Sequence, residues 1–168
     1  IDRVIVSTDS KEYAKLSTQL GAEVPFLRPE SISNDFSTDF EFIKHALDFM
    51  EFDKFLPEII VHIRPTTPFR DPKVLDQAIT SFKKSKNISS LRSIHKLSES
   101  SYKTFELDSD SFLKTICDCD YNIEKQNEAR QKFPDTYSAN GYVDVLSTSY
   151  IKKYSKLHGD RSYGFITD

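Results

Sequence analysis

The chain has 168 residues, 38% of them hydrophobic and 29% charged: enough for a real core, in the balance of an ordinary globular domain. The net charge of -3 excludes a general nucleic-acid binder, which would carry a basic excess, but leaves room for one anionic nucleotide held by a few local donors. No apolar run approaches the roughly 18 residues that cross a membrane, and the opening IDRVIVSTD is too short and polar for a signal peptide. Cys117 and Cys119 are the only cysteines; without two further ligands nearby they do not make a zinc site. Reduced, unligated thiols in a cytoplasmic protein are the expectation.

In chain order, Arg3 to Ser7 is a β-branched apolar run that reads as a buried strand. Ser7-Thr8-Asp9-Ser10 suits a loop or helix N-cap. Lys11 to Leu20 has helical spacing and Gly21 supplies a stop. Glu23 to Leu27 reads as a second strand closed by Arg28-Pro29, which completes a βαβ unit. From Asp35 to Met50, Phe36, Phe40, Ile43, Leu47 and Met50 recur at three- and four-residue steps, one apolar helix face.

Glu58 to Ile63 is nearly continuous in apolar residues, as in a strand covered on both faces. It runs into Arg64-Pro65-Thr66-Thr67-Pro68-Phe69-Arg70, and a helix from Asp71 or Pro72 to about Lys84 follows, with Val74, Leu75, Ala78, Ile79 and Phe82 inward. Ile88 to Ile94 predicts a strand. Residues 96–135 are polar, with strand-like pieces at Tyr102 to Leu107 and Phe112 to Ile116. The charged stretch Asp118 to Asp135 is long for a structureless connection, which points to a functional or partner-contacting loop. Gly141 to Leu146 predicts a strand, Ser147 to Tyr154 a helix and Tyr163 to Ile166 a last strand. The sum is a single α/β domain over residues 1–168 with a mainly parallel sheet flanked by helices.

Ligands of open α/β sheets collect at the carboxyl ends of strands. Ser7-Thr8-Asp9, Arg28-Pro29 and Arg64-Pro65-Thr66-Thr67 all fall there. Pro65 and Pro68 fix φ, so the third cluster can hold hydroxyls and a guanidinium in place; on spacing alone, the same residues also serve as plain turn chemistry. The four histidines, His45, His62, His95 and His158, show no ligand spacing and read as structural or exposed.

The succession IDRVIVSTDS, GAEVPFLRPESISND, HALDF, IIVHIRPTTPFRDP and YSANGYVDV resembles the N-acylneuraminate (sialic acid) cytidylyltransferase family, in that family's order. The resemblance implies a Rossmann-like nucleotidyltransferase fold with a small dimerisation extension at 96–135. It also implies a homodimer, and transfer of a cytidylyl group from CTP to a nonulosonic (sialic-type) keto-sugar acid with help from Mg²⁺, giving CMP-sugar and pyrophosphate. Positioning and charge neutralisation carry most of such catalysis, so a site of Arg, Thr, Ser and Asn without a nucleophile–base pair fits.

By that resemblance Arg28 reaches the nucleotide, as do Ser37 and Asp39 at a helix start; a plain N-cap role for Asp35 or Asp39 is the alternative. Thr66 and Thr67 line the sugar side. The family commonly has Gln where this chain has Arg64, whose guanidinium could pair with an anionic group of the acceptor and suggests an acceptor other than ordinary N-acetylneuraminate. Lys103 and Arg130 could supply charge for the acceptor carboxylate, the alternative being solvated surface cations. Asn140 would touch the ligand, although Asn140-Gly141 also signals a turn. Arg70 reads as structural.

The family's glycine-rich basic loop and its Asp-rich metal motif do not occur in these 168 residues. The expectation is therefore an incomplete fragment, inactive alone, with metal ligands and catalytic residues unassigned; Asp168 could be a first metal carboxylate. The alternatives are a 3-deoxy-manno-octulosonate cytidylyltransferase, and a non-catalytic nucleotide-sugar-binding or dimerisation module.

Overall fold

Side-chain caps set three of the helices among the described residues. Ser10 accepts from the Tyr13 amide, Asp71 from the Lys73 amide and Ser147 from the Tyr150 amide, each satisfying a donor that the first turn leaves open. The computed structural model describes residues 1–116 and 123–167. The readings at Cys117, Cys119 and Asp168, and the first part of the Asp118 to Asp135 segment, lie outside the described residues.

The elements run α1 (Lys11–Gln19), α2 (Asp39–Phe52), β1 (Ile59–His62), α3 (Pro72–Lys84), β2 (Ser90–Lys96), β3 (Phe105–Leu107), β4 (Leu113–Thr115), β5 (Tyr137–Ser147), α4 (Thr148–Tyr154) and β6 (Ser162–Ile166). Four strands form a sheet of order β1-β5-β2-β6, and β3 and β4 form a separate antiparallel pair. β2 and β6 are parallel, Ser90 facing Ser162 and Ile94 facing Ile166. β5 runs the other way beside β2: the Leu97 amide reaches the Thr136 carbonyl near one end and the Val143 amide reaches Ser93 Oγ near the other. The sheet is mixed, and the α/β class expected from the sequence holds.

The chain divides into two compact units, residues 1–60 with 146–159, and residues 61–145 with 160–168. In the first, Ile43, Leu47 and Met50 of α2 pack with Leu146, Ile151 and Leu157, and Phe40, Phe55 and Ile60 flank them. Each such side chain removed from water contributes about 1.5–3 kcal/mol, so this cluster anchors the unit. In the second unit Ala78 of α3, Leu91 of β2 and Val143 and Val145 of β5 are fully buried.

Three expectations are corrected. Arg3 to Ser7 and Glu23 to Leu27 do not form buried strands: they meet in a single parallel bridge between Ile5 and Glu23, and Val4 is exposed. The Arg3 guanidinium closes on the Glu23 carboxylate at 2.6 Å beside that bridge. The helix expected from Asp35 begins at Asp39, because residues 34–37 are occupied by a turn. Asn34 Oδ1 accepts from the Phe36 amide and Ser37 Oγ from the Asn34 amide, each at 3.0 Å, an alternative to helix that short polar side chains offer. Phe36 is consequently exposed rather than part of the apolar face.

The cap of α2 is Thr38, not Asp35 or Asp39. Glu41 reaches back to accept from the Thr38 amide at 2.6 Å and from its hydroxyl at 2.9 Å. Those two bonds, the backbone one first, hold the Glu41 carboxyl below its ordinary value of 4.5. A depressed carboxyl contributes stability above its unfolded value and loses it as pH falls through the folded one. Glu41→Gln should therefore be less stable than the wild type at neutral pH, with the gap closing as pH is taken below about 4.5. Urea titrations of both proteins at a series of pH values check this; a gap independent of pH would refute it.

Candidate functional site

In the first unit the loop after residue 27 folds back on the loop after residue 6. The Arg28 amide donates to the Thr8 carbonyl at 2.8 Å, and Thr8 is buried. The Arg28 side chain is then fixed on three sides. Its Nε donates to Ser33 Oγ at 3.0 Å, its Nη2 lies 3.7 Å from Asp9 Oδ1, and its guanidinium sits over the Phe42 ring at 5.5 Å. Half-buried at 22% exposure, it is an oriented cation with one face to solvent, the form in which guanidinium recognises phosphate. Ser37 closes the Asn34 turn and Asp39 is the first residue of α2. The structure thus brings Thr8, Asp9 and Arg28 together, and places Ser37 and Asp39 at the helix start where the sequence put them.

The second unit holds the Arg64–Pro65–Thr66–Thr67 turn. The Thr67 amide donates to the Arg64 carbonyl at 3.2 Å, as a proline at the second position favours. Arg70 clamps this turn to β5: Nη2 donates to the Arg64 carbonyl at 2.6 Å and the Gly141 carbonyl at 3.1 Å, and Nε to the Tyr142 carbonyl at 2.7 Å. Burial lowers the Arg70 guanidinium from its ordinary value, Tyr142 opposes that shift and the Arg64 charge adds to it. Tyr142 returns the contact by accepting the Asp71 amide on its hydroxyl. Arg70 has the structural role the sequence suggested.

Gly141 sits inside β5 with φ +67, and a Cβ built there would lie 3.5 Å from Thr67 Oγ1 and 3.8 Å from Arg64 Cδ. The Asn140-Gly141 pair is therefore neither a hairpin turn nor a strand start: β5 begins at Tyr137, and glycine serves the positive φ at 141, beside the Arg64 turn. Asn140 Nδ2 donates to Thr167 Oγ1 at 2.6 Å while its Oδ1 accepts the Tyr142 amide at 3.1 Å.

Sequence reasoning missed the charge at the centre of this unit. Asp144, 1% exposed in β5, accepts from Arg64 Nη1 on Oδ2 at 2.9 Å, and the same oxygen lies 4.0 Å from His62 Nδ1. Arg92 Nε lies 3.6 Å from Oδ1. The only available signal was an acidic residue flanked by two valines in an otherwise apolar strand.

Lys103 and Arg130 also fall in the second unit. Lys103 Nζ donates to the Glu128 carbonyl at 2.8 Å and lies over the Phe133 ring. Arg130 is exposed and borders a small open cleft with Ser100, Phe133 and Thr136. Thr66 is exposed and Thr67 half-buried. Among the described residues no group of three His, Cys, Asp or Glu could hold a metal ion, and no helix is long and apolar enough to cross a membrane.

A family model described as cytidylyltransferase matches residues 1–152. The chain belongs to the cytidylyltransferase family. It is 28% identical over 168 residues to the N-acylneuraminate cytidylyltransferase of Escherichia coli, an alignment that takes in 99% of this chain and 37% of that protein. Over 79 residues it is 35% identical to the CMP-N,N'-diacetyllegionaminic acid synthase of Legionella pneumophila, 46% of this chain and 34% of that one. The chain thus matches little more than a third of the length of these relatives. Its fold is that of a solved CMP:2-keto-3-deoxy-manno-octonic acid synthetase complexed with CTP, with a TM-score of 0.59 and 12% identity over 99% of this chain and 73% of the other. Arg28, Ser37 and Asp39 lie in the first unit and Arg64, Thr66, Thr67, Lys103, Arg130 and Asn140 in the second.

Gly141→Ala places a Cβ on a backbone in the left-handed region, where L-residues cost about 1–2 kcal/mol. The neighbouring atoms stand at ordinary van der Waals distance, so strain rather than collision sets the loss. Chemical denaturation should show a decrease of that size; an unchanged midpoint would mean that the strand does not need the glycine.

Proposed function

We propose that this protein is part of an enzyme that transfers a cytidylyl group from CTP to a nonulosonic, sialic-type sugar acid, releasing pyrophosphate. The observation that carries the reading is the alignment of nearly the whole chain with an N-acylneuraminate cytidylyltransferase. The local geometry supports it: each unit presents an oriented guanidinium, Arg28 in one and Arg64 in the other. In the proposed reaction the anomeric hydroxyl of the acid attacks the α-phosphorus of CTP, the new P–O bond forms, and pyrophosphate leaves with the electron pair of the broken bond. A leaving group of that charge needs positive donors held in place beforehand. Arg28 is assigned to the nucleotide, with Ser37 and Asp39 at the start of α2. Thr66, Thr67, Arg64 and Asn140 are assigned to the acceptor, with Lys103 and Arg130 from the 96–135 segment.

A homodimer in which that segment meets a second copy, and action in the cytoplasm, belong to the same proposal. Magnesium belongs to the proposed reaction mixture. The described residues group no three metal ligands, so no step is assigned to a protein-bound ion.

Pyrophosphate release by the full-length protein, assayed with each nucleoside triphosphate and a panel of keto-sugar acids in the presence of Mg²⁺, tests the reading. The expected outcome is release with CTP and one nonulosonic acid, reduced about 100-fold or more in Arg28→Ala. Turnover with 3-deoxy-manno-octulosonate alone would reassign the acceptor. No turnover with any pair from a folded protein would overturn the enzyme reading in favour of a binding module.

A further inference from the structure

A hydroxyl carries one proton and two lone pairs, so a neighbour that fills a lone pair leaves the proton to be placed elsewhere. Thr167 is in that position. Its Oγ1 accepts from Asn140 Nδ2 at 2.6 Å. The sense of that bond is set from the other end of the amide. Asn140 Oδ1 accepts the Tyr142 amide at 3.1 Å, and a backbone N–H can only donate, so the NH2 side faces Thr167. Among the described residues the Thr167 side chain has no second partner. Its proton is a donor directed away from Asn140 and unclaimed by the fold.

The backbone does not require this pair. The Thr167 amide already reaches the Ile94 carbonyl at 2.9 Å, which continues the pairing of β2 and β6 one residue past β6. The two side chains are only part-buried, where one hydrogen bond adds little to stability. Their place in the fold is more informative. Thr167 follows the carboxyl end of β6, the edge at which ligands of such sheets collect. Asn140 precedes Gly141, whose carbonyl Arg70 ties to the Arg64 turn. A Cβ at 141 would lie 3.5 Å from Thr67 Oγ1, so a threonine hydroxyl stands beside each member of the Asn140-Gly141 pair.

We infer that Thr167 donates a hydrogen bond to a hydroxyl oxygen of the acceptor sugar acid, as a further substrate-binding residue, and that Asn140 acts through it as a positioning residue. This inference rests on the cytidylyltransferase reading above and replaces direct contact by Asn140 with contact through Thr167. A polyhydroxylated acid suits donors aimed beforehand, and a site built to hydrogen-bond a substrate oxygen discriminates against analogues that lack it.

The test is steady-state kinetics of the full-length protein with CTP and the acid it turns over. Wild type is compared with Thr167→Val, Thr167→Ser, Asn140→Asp and the double variant of Thr167→Val with Asn140→Asp. Thermal melts establish that each is folded. Thr167→Val removes the hydroxyl at nearly constant shape and should raise KM for the acid about five- to tenfold, while KM for CTP stays within about twofold. Thr167→Ser keeps the donor and should stay near the wild type. Asn140→Asp still accepts the Tyr142 amide but offers Thr167 an oxygen instead of an N–H, so the hydroxyl proton turns back into the protein. It should match the rise in Thr167→Val, and the double variant should rise no further. Among monodeoxy analogues of the acid, one should lose its disadvantage relative to the parent acid in Thr167→Val. An unchanged acid KM in Thr167→Val makes the pair a tie between strands, whatever its melting temperature, and overturns the inference while the enzyme reading stands. An equal rise in the CTP KM overturns it too. So do additive effects in the double variant, which would make Asn140 act independently of Thr167. A wild type that turns over no acid overturns the enzyme reading and this inference with it.

Discussion

A carboxylate buried in the middle of a sheet sets the terms for the second unit. Asp144 in β5 is met by a guanidinium from each side: Arg64, just beyond β1, hydrogen-bonds its Oδ2, and Arg92 in β2 lies 3.6 Å from its Oδ1. The β1-β5-β2 order is what makes that arrangement possible, since a strand at the sheet edge could be served from one side only. Once the pair is made, Arg64 has a fixed direction. The turn that follows it must leave the strand at the place where that direction is met.

The rest of the local architecture conforms to this requirement. Gly141 serves the positive φ of β5 beside the Arg64 turn, and Tyr142 receives the Asp71 amide on its hydroxyl at the head of α3. Strand, turn and helix start are thereby linked through side chains whose positions are all over-determined. In the first unit the equivalent role falls to Arg28, whose guanidinium is gripped by Ser33, Asp9 and the face of Phe42. The two units use the same device, a guanidinium oriented by the protein and partly exposed.

The sequence disclosed what local chemistry controls. α1 and α3 were legible because Ser10, Asp71 and Pro72 mark their starts and the apolar spacing carries them on. The cytidylyltransferase resemblance was legible because its motifs keep their order. The opening strands were misjudged because strand pairing depends on neighbours distant in the chain: Val4 to Val6 has strand composition yet finds only Glu23 as a partner. The start of α2 was misplaced by four residues because Asn34 and Ser37 tie a turn whose strength composition does not reveal. Asp144 escaped notice for a related reason. Its guanidinium partner Arg64 lies 80 positions away in the chain, and Arg92 carries no local signal, being one basic residue in a strand.

Arg70 carries a consequence for how such a protein can diverge. All three of its acceptors are main-chain carbonyls, those of residues 64, 141 and 142. A clamp that grips backbone is indifferent to the side chain carried by the residue it grips. Residue 64 can therefore be exchanged, together with its buried partner Asp144, without the loss of the Arg70 grip that ties turn to strand, and the shape of the loop is inherited separately from its chemistry. Descendants of one ancestral scaffold can on this account trade recognition groups at that position while the geometry that presents them stays constant.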